Sequence, residues 1–168
     1  PLVRAIVSDK FKTFDNVDLV EAALPQLMES EANWKIVNGT VTDSRLYMRL
    51  KSENQVAEPA IGDAMANGIM LRNSEVGMGS VEVMQMVWTL WCLNGCSSEK
   101  KSRHTHVTSA RGTEDWSLLT SEAKDADNLA LSLKLRDLTG AYASRDTFDK
   151  VLDQMNAEHG DIIEGEFS

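Results

Sequence analysis

The sequence predicts an α+β fold: a small, mostly antiparallel sheet with an N-terminal helix and C-terminal helices packed on it. Three observations carry that expectation. Apolar residues recur at helical spacing between Val17 and Met28, strand-like runs then follow one another with no helical pattern between them, and helical periodicity returns only after Ser121.

Taken in order, Leu2 to Val7 is a short β-rich run, and Lys10 to Phe14 alternates in the manner of an exposed strand. Asp15 and Asn16 supply caps for a helix with Val17, Val20, Ala23, Leu24, Leu27 and Met28 as its apolar stripe; Pro25 inside it predicts a kink or a break into two pieces. Trp34 to Val37, Asn38-Gly39 and Thr40 to Leu50 predict a hairpin turning at Asn-Gly, the pair that tolerates positive φ at least cost. On its second strand Arg45, Tyr47, Arg49 and Lys51 share one face, and Leu46, Met48 and Leu50 the other. Residues 52–67 are polar and carry Pro59 and Gly62, which reads as a loop before a strand from Gly68 to Asn73. Val81 to Trp91 fits either period. Its valines, tryptophans and threonine favour a strand with Val81, Val83, Val87 and Trp91 on one face. Lys101 to Val107 adds an edge strand. Ser121 caps a helix with Ala126, Leu129, Leu133 and Leu135, running to Leu138 or Thr139 and stopped by Gly140. Ser144 caps another, to Glu158, with Phe148, Val151, Leu152 and Met155 as its stripe. Residues 1–158 thus read as one domain, and 159–168 as a frayed acidic tail.

Length and composition agree with that reading. A chain of 168 residues suits one domain that buries about two-thirds of its unfolded surface. No apolar run approaches the roughly eighteen residues of a membrane helix, so no membrane partner is expected. Pro1 opens no basic, apolar leader, and two cysteines make a poor extracellular framework, so a reduced, cytoplasmic setting is expected. The net charge of −9 argues against a surface that attracts polyanions as a whole. The distribution is uneven: residues 97–111 hold Lys100, Lys101, Arg103 and Arg111 against Glu99 alone, whereas from Gly112 onward thirteen acids face five bases, a balance of −8. Contact with a polyanion should therefore be local.

Catalytic chemistry has little support. Cys92 and Cys96 are four apart, neither a redox pair nor a zinc knuckle, so a metal site with His104 and His106 is arithmetic rather than design, and no cofactor is expected. Ser74-Glu75 with Gly77 and Gly79 lacks both the phosphate-loop lysine pattern and the nucleophile elbow, and reads as a structural turn. Asp9, Asp15 and Asp18 read as caps and solvated charges. The basic residues offer the one mechanism with a physical warrant. Arg45, Tyr47, Arg49 and Lys51 on one strand face, and Lys100, Lys101 and Arg103 after the long apolar run, form a cationic groove with an aromatic platform if the sheet brings them together. A solvated sheet face explains the same residues equally well. Arg72 is a further candidate, and a pairing with Glu75 or Glu82 that only holds the loop explains it equally well.

The stretch Arg72-Asn73-Ser74-Glu75-Val76-Gly77, followed about fifteen residues later by Cys92-Leu93-Asn94-Gly95, resembles the phage and plasmid-like proteins grouped as domain-of-unknown-function 932. The opening Arg4-Ala5-Ile6-Val7-Ser8-Asp9-Lys10 and the later Arg103-His104-Thr105 are similar to further elements of that family. Its members carry additional residues ahead of the matching part, so the chain is expected to be a fragment, a processed form or a short relative. The resemblance implies a phage or plasmid setting, in which replication or recombination is a commoner role than metabolism. The resulting expectation is a non-enzymatic, homo-oligomeric protein that binds single-stranded DNA in the outline of annealing proteins; the alternative is an interaction module that self-assembles or captures a host protein.

Overall fold

The computed structural model describes residues 3, 5–7, 11–58, 64–89, 100–104 and 118–165, with the backbone alone for 100–104 and 158–165. Helix α1 (Asn16–Glu29) leads into strands β1 (Trp34–Val41), β2 (Leu46–Ala57), β3 (Met65–Asn73), β4 (Val81–Thr89) and β5 (Lys100–His104), then helices α2 (Ser121–Ala143) and α3 (Arg145–Gly165). The five strands lie in chain order and every neighbouring pair is antiparallel, a meander. With helices on one face of an antiparallel sheet, the fold is α+β.

Period-2 alternation divides the sheet. Leu46 and Leu50 of β2, Ile69 and Leu71 of β3, and Val81 and Val83 of β4 face the helices, where Phe14, α1 residues Leu19, Ala23 and Leu27, and α2 residues Leu131, Leu135 and Ala143 close the core. Val87 continues it towards α3, against Phe148, Val151 and Leu152. Gln55, Asn67 and Gln85 also lie on this inner face, all buried. Asn67 Nδ2 donates to Gln55 Oε1 at 2.7 Å and to Tyr142 O at 3.0 Å; Gln55 Nε2 donates to Ala143 O at 2.8 Å. These amides satisfy the last carbonyls of α2, which have no partner within the helix, and so dock its C-terminus on the sheet.

Several elements depart from the sequence reading. Described residues 3 and 5–7 form no strand, and Phe11 makes only an isolated bridge. α1 is one continuous helix through Pro25, which sits on its exposed side, so the carbonyl that loses its N–H partner is turned from the core. Its buried stripe is Leu19, Ala23 and Leu27, leaving Val17, Leu24 and Met28 exposed. Asn38-Gly39 is not a turn. β1 runs through it beside an irregularity between Ile36 and Asn38, and the reversal falls at Thr42–Arg45, where Thr42 N donates to Arg45 O at 2.8 Å and Arg45 N to Thr42 Oγ1 at 3.0 Å. The polar stretch that reads as a loop in fact extends β2 to Ala57 and starts β3 at Met65. Val81–Thr89 is a strand, as its β-branched content predicts, while Trp91 lies outside the described residues. Gly140 does not stop α2, which reaches Ala143 and buries Leu131, Leu135, Thr139 and Ala143 rather than Leu129 and Leu133. Ser144 does cap α3, accepting from Thr147 N at 3.3 Å, and α3 passes Glu158 to reach Gly165.

Candidate nucleic-acid interface

The outer face of the sheet, opposite the helices, carries most of the basic residues of interest. Strand alternation places Tyr47, Arg49 and Lys51 of β2 on it, with Arg45 at the head of the strand, about 6.6 Å between successive members. The Arg49 guanidinium lies 5.0 Å from the centroid of the Tyr47 ring, a cation–π contact that fixes both side chains. Its Nε is buried without a hydrogen-bond partner among the described residues, and an unpaired buried donor of that kind favours an added acceptor. Lys51 is half-buried and paired in register with Lys35, which makes an ion pair with Glu53.

Across the sheet, Thr40, Tyr47, Arg72, Glu82 and Arg103 form one row, each directly opposite the next. Arg72 Nη1 lies 3.6 Å from a Glu82 carboxylate oxygen, and the other Glu82 oxygen accepts from the Ser80 hydroxyl. Glu82, not Glu75, is thus the partner of Arg72. Glu75 instead accepts from Asn16 N at 2.9 Å, a carboxylate at the positive end of α1. Asn73 Nδ2 donates to Phe14 O at 2.9 Å, and Ser74 Oγ accepts from Met78 N at 2.9 Å while donating to Ser44 O at 2.7 Å. Gly77, with φ of +75°, supplies the left-handed residue of the loop. The segment Asn73-Ser74-Glu75 with Gly77 is therefore a structural clasp between the sheet and the start of α1, as the missing motif signatures predict.

That clasp places Met78 O where Arg45 Nη2 donates to it at 3.2 Å. Arg45, Tyr47, Arg72, Leu46, Thr40 and Thr42 then line a cavity of about 390 Å³ at the head of the strand, with no carboxylate among the described residues that line it. Nothing in the sequence marks Thr40 and Thr42 as site residues. Thr40 sits near the end of the strand that the Asn-Gly signal ends early and Thr42 in the turn that follows it, and only the register sets Thr40 opposite Tyr47.

The second basic cluster does not join the first. Lys100, Lys101 and Arg103 lie on β5, opposite Gln85, Met84 and Glu82, and β3 and β4 separate β5 from β2, about 14 Å in all. The intervening outer face carries Met70, Met84, Met86 and Trp88. Cys92, Cys96 and His106 lie outside the described residues, and among the described residues no three metal-ligating side chains gather. On the opposite flank, α1 and β1 enclose an apolar groove of about 640 Å³, lined by Leu24, Met28, Trp34 and Ile36 among others. No helix among the described residues is long and apolar enough to cross a membrane. No protein-family model, curated protein or solved structure matches the chain.

Proposed function

We propose that this chain binds single-stranded nucleic acid along the outer face of β2, as a DNA-associated protein of phage or plasmid type. The observation that carries the reading is the line of Arg45, Tyr47, Arg49 and Lys51 on one strand face, with Arg49 stacked on Tyr47. Cations at strand spacing track successive phosphates, and a ring accepts any base, so the surface suits a strand without sequence preference. The net charge of −9 confines binding to this basic face, and the neutralisation of phosphates there makes it salt-sensitive. The resemblance of the Arg72–Gly77 segment to phage and plasmid-like proteins supports the same setting.

Fluorescence anisotropy of a labelled single-stranded oligonucleotide, titrated with salt, tests the reading. Binding should weaken steeply with salt, and Arg45→Ala with Arg49→Ala should lower the slope of log K against log salt by about 0.7 for each phosphate that is no longer neutralised. Absence of binding by the folded protein at low salt would sink the proposal. One observation favours an interaction module instead. β1 is an edge strand with Ile36, Val37 and Val41 exposed beside the apolar groove of α1, the type of surface on which a further strand or an apolar partner docks. Mass that rises with concentration and ignores DNA would favour that reading.

A further inference from the structure

We infer that the cavity at the head of β2 is a subsite for one unstacked nucleotide, its phosphate between Arg45 and Arg72 and its base against the Tyr47 ring. The inference rests on the single-strand reading above and specifies where a strand is gripped rather than merely attracted.

Geometry and chemistry converge on that ligand. The cavity volume of about 390 Å³ lies in the lower range for small-ligand sites, roughly 300 to 1,000 Å³. Thr40, Tyr47 and Arg72 are directly opposed on three adjacent strands, whose backbones are spaced about 4.8 Å apart, and all three line the cavity. Arg49, two residues further along β2, occupies one side of the ring. Arg45, two residues earlier, lines the cavity with Tyr47. The ring is thus held in place by a cation before a base arrives, so stacking costs little further ordering.

Both guanidinium groups are positioned but not saturated. Arg45 gives one hydrogen bond, to Met78 O at 3.2 Å, and Arg72 one ion pair, to Glu82 at 3.6 Å. Each carries five donors, which leaves a fork for phosphate oxygens. Glu82 opposes an anion nearby, but it is buried, and its charge is met by Arg72 and the Ser80 hydroxyl. Two cations against one carboxylate leave one net positive charge among the described residues at this cavity, within an acidic protein. A bare phosphate would use the arginines and ignore the ring; a nucleoside would use the ring and ignore the arginines. A nucleotide uses both.

The test follows tyrosine-ring NMR signals of the full chain during titration with thymidine monophosphate, thymidine or inorganic phosphate, with single-strand anisotropy on the same samples. Thymidine monophosphate should shift the Tyr47 signal and saturate near millimolar concentration, about tenfold more tightly than thymidine or phosphate. Arg45→Ala should abolish the shift, while Arg45→Lys, which keeps the charge and loses the fork, should weaken it about tenfold. In Tyr47→Leu, which lacks the reporting ring, competition against the labelled oligonucleotide in the anisotropy assay should show no preference for thymidine monophosphate over phosphate, and circular dichroism of each variant reports its folding. Equal affinity for phosphate and thymidine monophosphate would overturn the inference in favour of a plain anion site. Wild-type protein that binds the oligonucleotide with no response to thymidine monophosphate would overturn the subsite and leave the single-strand reading standing. Saturation by thymidine monophosphate without oligonucleotide binding would do the reverse.

Discussion

Gly68 is fixed by a neighbour on the adjacent strand, Trp88 of β4. A Cβ built there would lie 2.5 Å from Trp88 Nε1 and 2.7 Å from Met86 Cγ, because the indole lies across the glycine to donate to Leu50 O at 3.1 Å. The clash involves a buried ring rather than a flexible tip, so Gly68→Ala should destabilise by about 1–3 kcal/mol in urea unfolding. Trp88→Leu should cost stability by itself and should largely cancel the added cost of Gly68→Ala in a double-mutant cycle. Full additivity would show that the indole does not occupy this place. Nothing in the local sequence announces this glycine, which reads as an ordinary weak point in a strand. Arg45, Tyr47, Arg49 and Lys51, by contrast, are legible, since two-residue alternation sets the face whatever the partner strand.

At the scale of elements, Gly140 shows magnitudes deciding a sign. In mid-helix a glycine is worse than alanine by about 0.5–1 kcal/mol, and sequence reasoning takes it for a stop. Here α1 crosses α2 closely enough that a Cβ at Gly140 would meet Gln26 Oε1 at 2.8 Å. The obstacle is the far end of a flexible side chain, which can turn aside. Gly140→Ala is therefore expected to stabilise modestly, by less than about 1 kcal/mol, whereas Gly140→Leu, which must displace the helix itself, should lower the thermal midpoint. A destabilising alanine would mean that Gln26 is held in place. The misplaced hairpin turn has a related cause. Asn-Gly lowers the local cost of reversal, but β1 gains a longer ladder on β2 by continuing to Val41, and Thr42 supplies a side-chain acceptor for the turn that is used.

For the whole molecule, three helices cover one sheet face, and the seam between sheet and helices carries its own pH dependence. Burial pushes the Tyr142 phenol above its ordinary value of 10.0, since a phenolate would be poorly solvated there. The folded state thus holds the proton more tightly than the unfolded chain. This contribution is intact below pH 10 and is lost as pH rises through the folded value. Urea midpoints should fall above pH 10, less steeply in Tyr142→Phe; parallel curves would refute the burial argument. Local sequence settles the α+β class, the order of the main elements, the two faces of β2 and the structural character of the Asn73–Gly77 loop. These follow from period, capping and turn chemistry, which act within a few residues. Tertiary packing alone settles that Asn38-Gly39 lies within a strand, that α1 buries Leu19 rather than Met28, that β3 and β4 stand between the two basic clusters, and that Thr40 faces Tyr47 across the head of the sheet. Each depends on strand register or helix docking. Those are fixed by the summed burial of distant residues, which no local pattern encodes.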